Sequence, residues 1–260
     1  MKLILCDGDS WTSGDIINPE LELVSKEHPN VNDPSNDDYR LPKVWPHKLG
    51  KLLNVEILNI AMAGSSNDGI VRRTMRKVKD LLLDYKPEDL FVIVGWSSPE
   101  RKDFYYTGEW ESWETLYPAQ LTQDFSYDKD LQEFYRIYLE KFWNETEYVE
   151  RYMQQNLLLH YFLKEHKVKH LFFDAFYETK EKGSMFNSLN VDEIIVKNGY
   201  ETKGHRSLTE YFLNLKKEFF LEKSFRNVIM DIDDKLFGDD YHPTEKGHEI
   251  WSRYLYDKFI

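Results

Sequence analysis

The sequence predicts a three-layer α/β/α fold around a mainly parallel, five-stranded sheet. Three observations carry this. Short apolar runs recur along the chain, amphipathic helical stretches lie between them, and the first run breaks off into a tight Asp-Gly-Asp-Ser turn. A length of 260 residues suits one domain with room for an insertion.

Taken in order, Leu3 to Cys6 reads as a buried strand that ends in the turn at Asp7–Ser10. Residues 22–42 are polar, with Pro29, Pro34 and the run Asn32–Asp38, and read as a long exposed loop. That loop lacks the Gly and the terminal Glu of a calcium-binding EF-hand. Residues 43–53 space Trp45, Leu49, Leu52 and Leu53 as a helix does, and Val55 to Ile60 forms a second strand. Residues 66–85 predict an amphipathic helix, with Ile70, Met75, Val78, Leu81 and Leu82 on one side and Arg72, Arg73, Arg76 and Lys77 largely outward. Leu90 to Val94 is a third strand, apolar throughout as in the middle of a parallel sheet.

An insertion of about residues 99–150 then breaks the rhythm, mixing polar and aromatic residues. Helix returns from about residue 130 and runs to Lys164. Val168 to Phe173 is a fourth strand, residues 178–206 are irregular, and residues 208–222 are helical. Val228 to Ile232 is read as a short fifth strand, and residues 244–258 as a final amphipathic helix entered through Pro243. No repeat or clean linker divides the chain, so residues 1–260 are expected to form a single domain.

Composition excludes several functions. Acidic residues number 46 and basic residues 34, a formal charge of 34 − 46 = −12, which argues against nucleic acid and anionic lipid as partners. One cysteine, Cys6, rules out an intrachain disulfide and a Cys-rich zinc site. No run approaches the ~20 apolar residues of a membrane span, and Asp7 and Asp9 interrupt the N-terminal apolar run before it could serve as a secretory signal. A cytoplasmic location is the default expectation. Aromatics reach 15% of the chain, an excess that needs a structural or functional reason.

The chemistry-bearing residues gather at strand ends and on the last loop, where ligands bind in open α/β sheets. Gly8-Asp9-Ser10 puts a serine at the mouth of the sheet. In Asp239-Asp240-Tyr241-His242-Pro243, an aspartate three positions before a histidine can fold back to hold the Nδ1 proton, leaving Nε2 as a base. The second strand leads into Asn59–Asn67, where Gly64 lets backbone approach a ligand and Ser65 or Ser66 can cap the next helix. The third leads into Val94-Gly95-Trp96-Ser97-Ser98-Pro99-Glu100-Arg101, whose arginine is expected to pair with a carboxylate such as Glu100 or Asp103. The α/β-hydrolase elbow, the P-loop, the dinucleotide fingerprint and His-Glu-x-x-His are all missing. His160, His166 and His170 straddle a helix end and a strand and do not make a metal set.

A serine after the first strand, combined with Asp-x-x-His-Pro just before a terminal helix, resembles the SGNH hydrolases, or GDSL esterases. The resemblance implies a flavodoxin-like sheet and a Ser10–His242–Asp239 triad, with the N–H groups of Ser10 and Gly64 facing the oxyanion. It implies ester hydrolysis through an acyl-enzyme, with no cofactor and no metal. The family's third block reads Gly-x-Asn-Asp, its Asn donating to the oxyanion, whereas this chain has Ser97 and Ser98 there. Either Ser97 or Asn67 would then supply the third donor. The Trp96–Arg101 run is similar to that of phage-encoded members, for which a virion or host cytoplasm would be the location. Trp11, Trp96, Arg101, Trp110 and Trp113 are candidate substrate contacts. Trp110 and Trp113, flanked by Glu109, Glu111 and Glu114, suit sugar rings, so the expected substrate is a small acyl ester on a carbohydrate. The same aromatics would equally build a mini-core under the insertion. Two other readings stay open: a glycan-binding, particle-associated module on an inactive scaffold, and an O-acyltransferase using the same triad.

Overall fold

The computed structural model describes residues 1–24, 34–108, 112–116, 129–176, 211–212 and 214–259. Four parallel strands form the central sheet: β1 (Leu3–Asp7), β2 (Glu56–Asn59), β3 (Leu90–Trp96) and β6 (Lys169–Asp174), in the order β2-β1-β3-β6. The register pairs Leu3 with Glu56 on one side and Leu90 on the other, and Phe91 with Lys169. Strand alternation divides the core between two faces. Leu3, Leu5, Val92, Val94 and Trp96 pack against α5 (Asn67–Leu81) and α7 (Glu145–Glu165). Ile4, Cys6, Ile93 and Phe173 pack against α4 (Trp45–Leu53), α8 (Phe225–Met230) and α9 (Glu245–Tyr256). These are the three expected layers.

The fifth strand differs from expectation. Val228 lies in helix α8, capped by Ser224, whose side chain accepts from Asn227 N–H. Phe225, Val228 and Ile229 are buried at helical spacing, while Met230 and Ile232 are exposed. The run Val228–Ile232 is short enough to fit either period; Phe225 decides for the helix. The sheet edge beside β6 is instead covered by Phe219–Leu221, where Phe172 N–H donates to Phe219 O (2.8 Å) and Leu221 N–H to Phe172 O (2.9 Å), an isolated parallel bridge.

Three other elements depart from the sequence reading. The supposed loop at 22–42 opens on the last turn of α2 (Pro19–Val24) and contains α3 (Pro34–Arg40), the latter burying Asn36 and Arg40. The helix expected from residue 130 to Lys164 is two helices, α6 (Lys129–Lys141) and α7, separated where Asn144 accepts from Glu147 N–H and starts the second. On α5, Arg72 and Arg73 do not point to solvent; Arg72 pairs with Asp103, and Arg73 with the wholly buried Asp7 at 2.6 Å. Of the segments expected to be irregular or helical after β6, residues 178–206 lie outside the described residues, and 211–212 and 214–216 are helical.

The insertion carries an antiparallel hairpin, β4 (Lys102–Tyr106) and β5 (Ser112–Leu116), lying against α6. Leu116, Leu131, Tyr135 and Tyr138 are buried together, with Phe104, Tyr106 and Trp143 packed on them. Five of the insertion's aromatics thus build a small core of their own, in which edge-on ring pairs such as Phe104–Tyr138 (5.1 Å) recur.

Candidate active site

Ser10 opens α1 (Ser10–Ser13), a single helical turn directly after β1. Asp9 caps it, its Oδ1 accepting from Trp11 N–H at 3.0 Å. Two glycines make the turn tight. A Cβ on Gly8 would lie 2.9 Å from Gly95 O, and one on Gly95 would lie 2.7 Å from Phe173 Cζ, with Thr12 wedged between. The start of α1 is thus fitted against the end of β3.

His242 arrives from the far end of the chain on a clamped loop. Gly238 N–H donates to His242 O (2.8 Å), Thr244 N–H to Leu236 O (2.8 Å), and Phe237 bridges Pro243 antiparallel. Inside the clamp Tyr241 has φ +62°, a left-handed conformation unusual for an aromatic residue. The loop brings His242 Nε2 to 2.9 Å from Ser10 Oγ across 232 positions of sequence. With the ring proton on Nδ1, Nε2 accepts from the Ser10 hydroxyl and can take its proton.

The carboxylate beside Nδ1 belongs to Asp240, not Asp239. Asp240 Oδ2 lies 3.2 Å from Nδ1, and Asp240 Oδ1 accepts from His242 N–H at 3.0 Å. The Nδ1 contact is an ion-pair approach off the line of the ring N–H, since Nδ1 has no aligned hydrogen bond. Asp239 and Asp240 are both exposed, but the ion-pair approach to Nδ1 is made by Asp240. A third carboxylate, Asp15, approaches the other ring nitrogen, its Oδ2 3.3 Å from Nε2. Burial raises its pKa above the usual carboxylate value. No spacing marks Asp15 in the sequence; only the left-handed Gly14 (φ +82°), which ends α1, turns it toward the histidine. Asp15, Asp240 and His242 bring donor atoms within 4.8 Å of one another, a set that could take a divalent cation. A cation held there would occupy a nitrogen of the same imidazole that faces Ser10.

A cleft of about 610 Å³ opens over these groups. Ser10 and His242 line it together with the apolar Trp11, Phe176 and Phe237 and the cations of Arg101 and Arg226. Trp11 is an edge-on partner of Phe176 at 4.8 Å and is itself nearly buried. Arg101 pairs with neither Glu100 nor Asp103. It lies 3.8 Å from Asp9 Oδ2 and donates to Ser65 O at 3.2 Å. Glu100 accepts from Ser98 Oγ, and Asp103 accepts from Ser66 Oγ, Arg72 and Thr115 Oγ1, tying the hairpin to the start of α5.

Several other candidates lie elsewhere. Trp96 is 1% exposed, edge-on to Phe172 and Tyr152 in the core, because it continues the alternation of Val92 and Val94 on β3. Trp113 is outside the cleft wall, with the Arg72 guanidinium 3.7 Å over its ring. Trp110 falls outside the described residues. Gly64 sits at φ +76° on the β2–α5 loop, with nothing within 4 Å of where a Cβ would be. Asn67 is wholly buried, and both ends of its amide hold the backbone of Ser97, at 3.1 Å and 2.8 Å. Ser97 Oγ is buried without a hydrogen-bond partner. The other clustered histidines meet one another or the backbone: His160 Nδ1 lies 2.8 Å from His170 Nε2, and His166, just past the end of α7, bonds Phe162 O.

Comparison with known proteins agrees with this architecture. A protein of the G-D-S-L lipolytic family from Desulfitobacterium hafniense DCB-2 superposes with a TM-score of 0.50 at 13% identity, covering 99% of both chains. The structure of TesA also gives 0.50, at 10% identity, covering 99% of this chain and 98% of that one. The fold is therefore that of the GDSL, or SGNH, hydrolases. A search of curated proteins gave no match. The model of a family of unknown function, DUF6071, matches residues 22–195, a span that holds Gly64, Asn67, Ser97 and Arg101 but neither Ser10 nor His242. Matched over well more than half its length, the chain belongs to the family of unknown function DUF6071.

Proposed function

We propose that this protein is a serine ester hydrolase of the SGNH type. The observation that carries the reading is the 2.9 Å approach of His242 Nε2 to Ser10 Oγ at the carboxyl end of the sheet, in a cleft large enough for a small ester. Ser10 is the nucleophile and His242 the base. Asp240, at Nδ1, is the carboxylate best situated to orient the ring and to stabilise the imidazolium. The N–H groups of Ser10 and Gly64 face the oxyanion. Ser10 attacks the ester carbonyl while His242 takes its proton; the same proton then leaves with the alcohol, and water repeats the cycle on the acyl-enzyme. One domain, residues 1–260, carries the whole site.

The cleft favours a small acyl group on a polar, hydroxyl-bearing alcohol, such as an acetylated sugar. Trp11, Phe237 and Tyr241 offer flat apolar faces, while Arg226, Asp234 and Asp240 offer donors and acceptors beside them. Turnover of p-nitrophenyl acetate and of acetylated sugars by the purified protein tests the reading, with Ser10→Ala as the control. Activity that Ser10→Ala lowers by about 10³-fold or more is expected. Equal turnover by the two proteins, or inertness of both, would leave a binding module on a hydrolase scaffold.

A further inference from the structure

We propose that Arg101 is the third oxyanion donor, in place of the asparagine that the third block of this chain lacks; the inference rests on the serine-hydrolase reading above. Of the two donors suggested by sequence, Asn67 is committed and Ser97 is closed off by burial. Asn67 spends its amide on the Ser97 backbone, at 3.1 Å and 2.8 Å, and Ser97 is 3% exposed. Neither side chain belongs to the cleft wall, whereas Arg101 shares that wall with Ser10 and His242.

Arg101 is also tied to both loops that would flank an oxyanion. Its Nη1 donates to the carbonyl of Ser65, the residue after Gly64, and lies 3.8 Å from Oδ2 of Asp9, the residue before the nucleophile. Asp9 is wholly buried and its Oδ2 accepts no hydrogen bond, so the guanidinium is the charge that faces it. The backbone is fixed on both sides: Arg101 N–H closes a turn onto Ser98 O at 3.3 Å, and Arg101 O accepts from Arg151 Nη1 at 2.8 Å. A donor held this way needs no reorganisation when charge develops, the condition under which oxyanion donors act most strongly. A guanidinium fork carries five N–H donors in one rigid plane.

During acylation the Ser10 Oγ–carbon bond forms, the carbonyl π pair moves onto oxygen, and the hydroxyl proton passes to His242 Nε2. On collapse the pair returns, the bond to the alcohol oxygen breaks, and the Nε2 proton leaves with the alcohol. Arg101 keeps its protons throughout and contributes by holding the transient O⁻.

The test compares p-nitrophenyl acetate kinetics and phenylboronic acid binding in wild type, Arg101→Met, Arg101→Lys and Ser10→Ala. Phenylboronic acid forms a tetrahedral, anionic adduct on an activated serine and so reports the oxyanion site without turnover. Arg101→Met is expected to lose about 10²–10³ in kcat with KM changed less than about threefold, and to weaken the boronate by a similar factor. Arg101→Lys is expected to recover part of both. Wild-type kcat and boronate affinity in Arg101→Met, while Ser10→Ala is inert, would overturn the Arg101 assignment alone. A kcat loss with unchanged boronate affinity would overturn it too, marking Arg101 as a scaffold residue. If wild type matches Ser10→Ala in both assays, the hydrolase reading fails and this assignment falls with it.

Discussion

At the scale of single residues, the identity of the orienting carboxylate matters most. The spacing Asp-x-x-His singles out Asp239, yet it is Asp240 that stands 3.2 Å from His242 Nδ1. The left-handed Tyr241 lies between the second aspartate and the histidine, and Asp240, though itself exposed, is the one whose carboxylate folds back to the ring. Asp240→Asn is expected to lower kcat by about 10²–10⁴-fold, through loss of the charge that stabilises the imidazolium. Asp239→Asn is expected to stay within about threefold of wild type. Steady-state kinetics of the pair decide, and the reverse order would return the role to Asp239. Ser10 and His242 were legible in the sequence because their motifs are local. Asp15 and the Arg101–Asp9 pair were not, since each depends on which loops the fold brings together.

At the scale of elements, the amphipathic helices and the apolar strands were legible from periodicity, and β1, β3, α5 and α9 fall where it put them. The run Val228–Ile232 was misread because five apolar-rich residues fit periods of 2 and 3.6 alike, and the break between α6 and α7 because only a single Asn144 cap marks it. The Asn67 clamp is an element-scale device. It joins the first turn of α5 to the loop after β3 by satisfying the N–H and C=O of one buried residue. Asn67→Ala strands both groups, at about 1–3 kcal/mol each. Its thermal midpoint is expected to fall by several degrees, while boronate affinity per folded molecule is retained. A midpoint equal to wild type would show that the clamp holds nothing.

At the scale of the whole molecule, two faces of one sheet carry separate cores, and buried imidazoles couple their stability to pH. Burial lowers the pKa of His160 to about 4 and of His248 to about 3. Below about pH 6.5 the unfolded imidazoles take up protons that the folded ones refuse, so each histidine makes stability fall as pH drops toward its folded value. Asp7 acts in the opposite sense between its ordinary value of 3.8 and about 6, where its buried carboxyl binds protons more readily than in the unfolded chain. His248 Nδ1 accepts from Trp45 N–H at 3.3 Å, and an asparagine oxygen can replace that acceptor without titrating. His248→Asn is therefore expected to flatten the decline of the thermal midpoint between pH 6.5 and 4; parallel curves for the two proteins would contradict this. The cleft itself is lined from both ends of the sequence, with Ser10 and His242 in contact across 232 positions. The most direct measurement is labelling by a fluorophosphonate probe, which reacts only with a serine made nucleophilic by a neighbouring base. Labelling of the wild-type protein at Ser10, abolished in Ser10→Ala and strongly reduced in His242→Ala, is the expected result. A wild-type protein that stays unlabelled, or one labelled equally well without His242, would contradict the account.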